Sequence, residues 1–174
     1  MNRRMEDLEH HTLTVKVENK AGVLARVADL FARRGYNIVS LVVAPTADEN
    51  LSRLTIVVDV ESAPLEQIVK QLFKLVNVIE IIELPAAKSI ARELLVATVT
   101  VGSDNRDKLM DLVSQFDASV IAEAEDMMTI SLESEPSQVE KFETSLEQYE
   151  IADMQRTGAI ALAQIGQDVR RVSI

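Results

Sequence analysis

The stretch Thr12-Leu13-Thr14-Val15-Lys16-Val17-Glu18-Asn19-Lys20-Ala21-Gly22-Val23-Leu24 changes its hydrophobic period midway. Leu13, Val15 and Val17 alternate with Thr14, Lys16 and Glu18, which is the period of a half-buried strand over Thr12–Glu18. After Asn19-Lys20-Ala21-Gly22 the period becomes helical. Val23, Leu24, Val27, Leu30 and Phe31 recur on one stripe, while Arg26, Asp29, Arg33 and Arg34 fall outside it. Gly35, just past the last turn, ends the helix.

Working outward, Asn37–Ala44 reads as a strand, Pro45–Ser52 as a hairpin loop rich in turn formers, and Arg53–Glu61 as the returning strand. Pro64 suits the first turn of a second helix, with Leu65, Ile68, Val69, Leu72 and Phe73 inward, and Val76–Leu84 closes the unit as a fourth strand. The order is βαββαβ, the ferredoxin-like arrangement of an antiparallel sheet with two helices on one face. After the Pro- and Ala-containing linker the order repeats with weaker patterning. Arg92–Val101 is a strand, Asn105–Phe116 a helix, Ala118–Glu125 with Met127–Glu133 a hairpin, a helix opens at Pro136, and Ile151–Arg156 is the last strand. The expected fold is therefore α+β, two such modules in tandem. Residues 1–11 form an extension, 12–84 the first module, 85–91 a linker, 92–166 the second module and 167–174 a tail. Each module is small for independent burial, so the helix-free sheet faces are expected to pair and the chain to form a homodimer.

Composition narrows the function. The chain has 174 residues, 47% hydrophobic and 26% charged, without an apolar run of the roughly 20 residues that cross a bilayer. Met1–His11 is charged and lacks the apolar centre of a signal peptide, which leads us to expect a cytoplasmic protein with no membrane partner. The absence of cysteine excludes disulfides, thiolate nucleophiles and cysteine-bound metal. His10 and His11 are adjacent, so on a strand they point to opposite faces and cannot grip one ion together. A net charge of −10 repels a phosphate backbone, and 3% aromatic residues without Trp offer no stacking platform, so nucleic acid is not an expected partner. This inventory suits binding better than catalysis.

The turn between the first strand and helix is the informative site. The helix starts there with unpaired N–H groups and the positive end of its dipole, which accept a carboxylate. Gly22 lets a ligand approach the backbone, and Asn19 carries the donor and acceptor that suit an α-amino acid. The same residues also read as an ordinary cap, Asn19, and an ordinary loop glycine. Asn37, after Gly35-Tyr36, places a second amide at the start of the second strand, where it either closes a turn or faces the loop of a neighbouring copy. Glu123, Glu125 and Asp126 read as a solvated hairpin tip rather than a metal site, Arg33 and Arg34 as complements to the helix dipole, and Met127 and Met128 as packing on two faces of one strand. There is no phosphate loop, dinucleotide fingerprint or nucleophile with a base.

The run Glu18-Asn19-Lys20-Ala21-Gly22-Val23-Leu24-Ala25-Arg26-Val27, with Leu30-Phe31, Arg34-Gly35-Tyr36-Asn37-Ile38, Ala44-Pro45-Thr46, Leu51-Ser52-Arg53 and Gln71-Leu72-Phe73-Lys74-Leu75-Val76, closely resembles the small regulatory subunit of acetolactate synthase, or acetohydroxyacid synthase. Arg92-Glu93 and Arg156-Thr157-Gly158 extend the likeness more loosely into the second module. The resemblance implies an ACT domain at 12–84 that dimerises and holds an amino-acid effector between subunits. It implies no catalytic site in this chain and no cofactor or metal of its own. Thiamine diphosphate, magnesium and FAD would belong to a large catalytic subunit that makes acetolactate from pyruvate and that this chain stimulates. Valine would feed back through Asn19, Gly22 and Asn37, with Ala21, Val23, Leu24 and Ile38 nearby. A free-standing amino-acid-sensing module acting on another protein is the alternative that the same loop allows.

Overall fold

The computed structural model describes residues 9–60, 62–102 and 104–173. The chain divides into two compact units, one running up to Ile90 and resuming at Ala159, the other Ala91–Gly158.

In the first unit the order is β1 (Glu9–Glu18), α1 (Val23–Arg34), β2 (Asn37–Pro45), β3 (Leu51–Val60), α2 (Ser62–Leu72) and β4 (Val78–Leu84). The strands are antiparallel neighbours in the order β4-β1-β3-β2, the ferredoxin-like arrangement. The period-two alternation of β1 is the cause of the core. Leu13 and Val15 oppose Ile56 and Leu54 on β3, and all four are at most 1% exposed. Val27 and Phe31 of α1 and Leu65, Ile68 and Leu72 of α2 close over them.

α1 ends as its glycine requires. Gly35 has φ 68°, its N–H donates to Ala32 O, and the next N–H, of Tyr36, donates to Phe31 O. This pair of bonds satisfies the last carbonyls only if Gly35 stays left-handed. A Cβ there would meet nothing within 4 Å, so the penalty of Gly35→Ala is backbone strain alone. We expect Gly35→Ala to lower stability by about 1 kcal/mol in urea unfolding followed by circular dichroism. An unchanged midpoint would show that the turn re-forms another way.

The second unit repeats the plan with β5 (Ser89–Thr100), α3 (Arg106–Gln115), β6 (Ser119–Ala124), β7 (Met127–Ser134), α4 (Pro136–Leu146) and β8 (Glu150–Arg156), in the sheet order β6-β7-β5-β8. Pro136 opens α4, where its missing N–H costs nothing. Leu95, Ala97 and Val99 face Ile130, Leu109, Phe142 and Leu146, and the Phe142 ring lies tilted against Phe116 at 5.1 Å.

Several expectations are corrected. β1 begins at Glu9, so the last residues of the expected extension, His10 and His11, are strand residues opposite Asp59 and Val58, and His10 Nδ1 pairs with Asp59. The remainder of the extension lies outside the described residues. β4 begins two residues late, leaving Val76 in the preceding loop at 91% exposure. The linker 85–91 is a short 3-10 turn, Ala86–Lys88, running straight into β5.

The end of the chain differs most from its reading as the close of the second module and a tail. β9 (Ile160–Ala163) falls in the first unit, and β10 (Arg171–Ser173) pairs antiparallel with β4, adding a fifth strand to the first sheet. Residues 159–174 thus complete the first unit, and 12–84 is not its whole extent. The helix-free face of that sheet is not bare either. Thr14 and Thr55, cross-strand partners on it, are buried, and Ala159 N–H donates to Ser40 Oγ at 3.4 Å on the same face. No helix among the described residues is long and apolar enough to cross a membrane.

Candidate functional site

Where β1 ends, the chain is fastened on two sides. Asn19 N–H donates to Asn50 O at 2.7 Å and Asn19 Nδ2 donates to Glu49 O at 2.9 Å, tying the loop to the β2–β3 hairpin. That hairpin is itself braced, since Asp48 Oδ1 accepts from Asn50 N at 3.0 Å and from Asn50 Nδ2 at 2.9 Å. The backbone bond and then the side-chain bond from Asn50 hold the Asp48 carboxyl below its ordinary range.

On the other side Glu18 Oε2 accepts from Asn77 Nδ2 at 2.5 Å and lies 3.1 Å from Lys20 Nζ, while Asn77 Oδ1 accepts from Arg26 Nη1 at 2.8 Å. The bond from Asn77, then that from Lys20, lowers the Glu18 pKa. A lowered carboxyl pKa means that the tie is complete at neutral pH and is lost only as pH falls through that lowered value, below the ordinary glutamate range.

Between these anchors the amino terminus of α1 stays open. Gly22 is its cap residue at φ 82° and ψ −6°, no side chain caps it, and its first turn holds no acidic group. Asn19 is therefore not the helix cap, because its amide is spent on the hairpin. Ala21 and Gly22 are exposed and Leu24 is 42% exposed, so one small-residue platform faces solvent with the helix N–H groups behind it. Open space surrounds a Cβ at Gly22, but the positive φ strains any other residue there, and Gly22→Asp carries that cost.

The remaining predicted site residues lie elsewhere. Val23 is 5% exposed, belongs to the core and positions the start of α1. Ile38 is half-buried against the same core, and Asn37 is exposed at the start of β2. Asn37 opposes Asp59, whereas Glu18, beside Asn19, opposes Leu51. Along β3 those positions are about 26 Å apart at roughly 3.3 Å per residue, so one chain does not bring Asn19 and Asn37 together. β2 is the edge of its sheet, and it exposes Val39 and Val43.

Sequence reading missed Glu49, Asn50 and Asn77 as the braces of the loop. The signal was weak, because each partner lies some thirty or more residues away and short-range patterning does not carry such pairs. Among the other candidates, Glu123 pairs with Arg106, Glu125 sits at φ 51° in the hairpin turn, and Asp126 O accepts from Val101 N. No group of three potential metal ligands occurs among the described residues. Arg33 pairs with Asp29 one turn earlier at 2.7 Å, and Arg34 is exposed in the last turn. Met128 is buried and Met127 exposed, as their positions on opposite faces dictate.

Comparison with known proteins agrees with the two-unit layout. The family described as AHAS small subunit-like ACT domain matches residues 13–80, and that described as small subunit of acetolactate synthase matches 92–165. The acetolactate synthase small subunit of Mycolicibacterium smegmatis is 43% identical over 88% of this chain and 91% of its own length. That of Mycobacterium leprae is 41% identical over 92% and 95%, and the probable one of Archaeoglobus fulgidus is 40% identical over 88% and 96%. The crystal structure of the small subunit from Thermotoga maritima superposes with a TM-score of 0.84 at 32% identity, covering 91% of this chain and 99% of that one. With both units matched in order and relatives covered almost end to end, the chain belongs to the acetolactate synthase small-subunit family.

Proposed function

We propose that this chain is a non-catalytic regulatory subunit that stimulates a thiamine-diphosphate-dependent acetolactate synthase large subunit and transmits feedback inhibition by valine. The open amino terminus of α1 at Gly22, braced by Asn19 and flanked by no acidic group in its first turn, carries the reading. The helix N–H groups take the effector carboxylate. Asn19 Oδ1 and its second amide hydrogen, not engaged by the hairpin, are left for the effector's polar ends. Leu24 and Ile38 offer aliphatic surface to a branched side chain.

The second half of the site comes from another copy. β2 is an exposed edge, and edges pair. Antiparallel pairing of β2 with β2 about a two-fold axis sets the Asn37 end of one strand beside the Pro45 end of the other. That Pro45 end adjoins the hairpin to which Asn19 is fastened. The 26 Å gap within one chain thus becomes proximity between two. Valine would bias the complex between a stimulating and a non-stimulating state through its differential affinity for them.

The test mixes purified chain with its large subunit, pyruvate, thiamine diphosphate, magnesium and FAD. Acetolactate formation should rise several-fold on adding the chain and fall back with valine, while the chain alone should form none. Turnover by the chain in the absence of the large subunit would overturn the assignment.

A further inference from the structure

The first unit also contains a cleft of about 590 Å³ between the end of α2 and the returning carboxy-terminal strand, lined by no residue of the α1 turn. We propose that this cleft binds a small carboxylic acid with an apolar body, independently of the amino-acid effector. Its floor is apolar: Val69 is buried, and Phe73 and Val172 are half-buried against the first core. Around the rim stand three cations, Lys70, Lys74 and Arg170, in a chain whose net charge is −10.

Those cations are only loosely matched from within the protein. Lys70 Nζ lies 3.9 Å from Glu66, and Arg170 Nη1 lies 3.7 Å from Glu66 and 3.8 Å from Glu83. These separations are beyond hydrogen-bond range, so their N–H donors remain available. Lys74 has no ion pair among the described residues. Three cations against two carboxylates leave a local balance that one negative charge neutralises, which favours a carboxylate over a polyphosphate. The volume lies in the range of sites for small organic ligands, where an apolar floor supplies affinity and a few polar groups fix orientation.

The cleft joins two segments far apart in sequence. Arg170 and Val172 belong to the end of the chain, where Arg170 O accepts from Glu83 N at 3.1 Å and Val172 opposes Ile81 on β4. An occupant would therefore clamp β10 to α2. Because β10 is a three-residue edge strand, its amide exchange is the sensitive reporter of that clamp.

The experiment titrates the full chain with naphthoate, following backbone amides by NMR, beside two controls, neutral naphthalenemethanol and acetate. Saturable shifts centred on Val69–Lys74 and Arg170–Ser173, slower exchange in β10, and much weaker binding of both controls are expected. Lys74→Gln should weaken naphthoate binding about tenfold, the effect of losing one charged hydrogen bond. Asn19→Ala, at the other site, should leave it unchanged. Equal binding of naphthalenemethanol, shifts centred elsewhere, absence of saturation, or a folded Lys74→Gln variant that binds as the parent does would each overturn the proposal.

Discussion

Arg156→Met should lower the stability of the second unit by about 2–4 kcal/mol, the consequence of stranding a buried carboxylate. Glu93 on β5 is 8% exposed, and its Oε2 accepts from Arg156 Nε at 2.7 Å and lies 2.6 Å from Nη2. From α4, Glu143 Oε2 takes the third contact at 2.9 Å. Burial works against the Arg156 charge, but the bonds to Glu93 and then Glu143 outweigh it and raise its pKa, so the guanidinium stays charged at any working pH. Methionine keeps much of the arginine stem and removes the compensating charge. About a third of Arg156 is exposed, and water can partly replace it, which is why the expected loss falls toward the low side of what a fully buried pair gives. Glu93→Leu added to Arg156→Met should recover most of the loss, because an apolar pair needs no partner. Urea unfolding of both single variants and the double variant measures the coupling. A loss under about 0.5 kcal/mol for Arg156→Met would mean that Glu93 is solvated well enough to stand alone.

The two readable units owe their legibility to local causes. β1 and α1 announce themselves because the period switches from two to 3.6 at Asn19–Gly22 and a glycine in the left-handed region stands at each end of the helix. Pro136 fixes the start of α4 in the same local way. β9 and β10 escaped notice because four- and three-residue strands hold no period. Arg171–Ser173 becomes a strand only because β4, some ninety residues earlier, presents an unpaired edge.

The same division governs the site. The open start of α1 at Gly22 was legible because helix termini and small residues are local signals. The role of Asn19 as a brace was not, since its amide bonds to Glu49, thirty residues away. Nor was the distance between Asn19 and Asn37. Asn19 and Asn37 are separated in sequence only by α1, yet a helix that runs back along the sheet delivers the chain to the opposite end. Function itself came from the motif resemblance, because the loop geometry alone fits any amino-acid sensor.

That distance yields the sharpest test of a shared site. Asn19→Ala and Asn37→Ala should each weaken valine binding about 10- to 150-fold, the loss of one hydrogen bond to a charged group. Both residues are exposed, and Asn37 is the first residue of an edge strand, so the variants should fold. In a two-fold dimer each site takes Asn19 from one chain and Asn37 from the other. Co-refolding the two variants in equal amounts then produces mixed dimers with one doubly altered site and one intact site. About half the dimers are mixed, so about a quarter of all sites should regain parental affinity, visible as a separate high-affinity phase in calorimetry. If Asn19 and Asn37 served a site within one chain, mixing would restore nothing, because every chain would still carry its own defect. Absence of the high-affinity phase, with each single variant impaired, would place the site within one chain against the register of β3. Parental binding by both variants would remove the effector from this loop altogether.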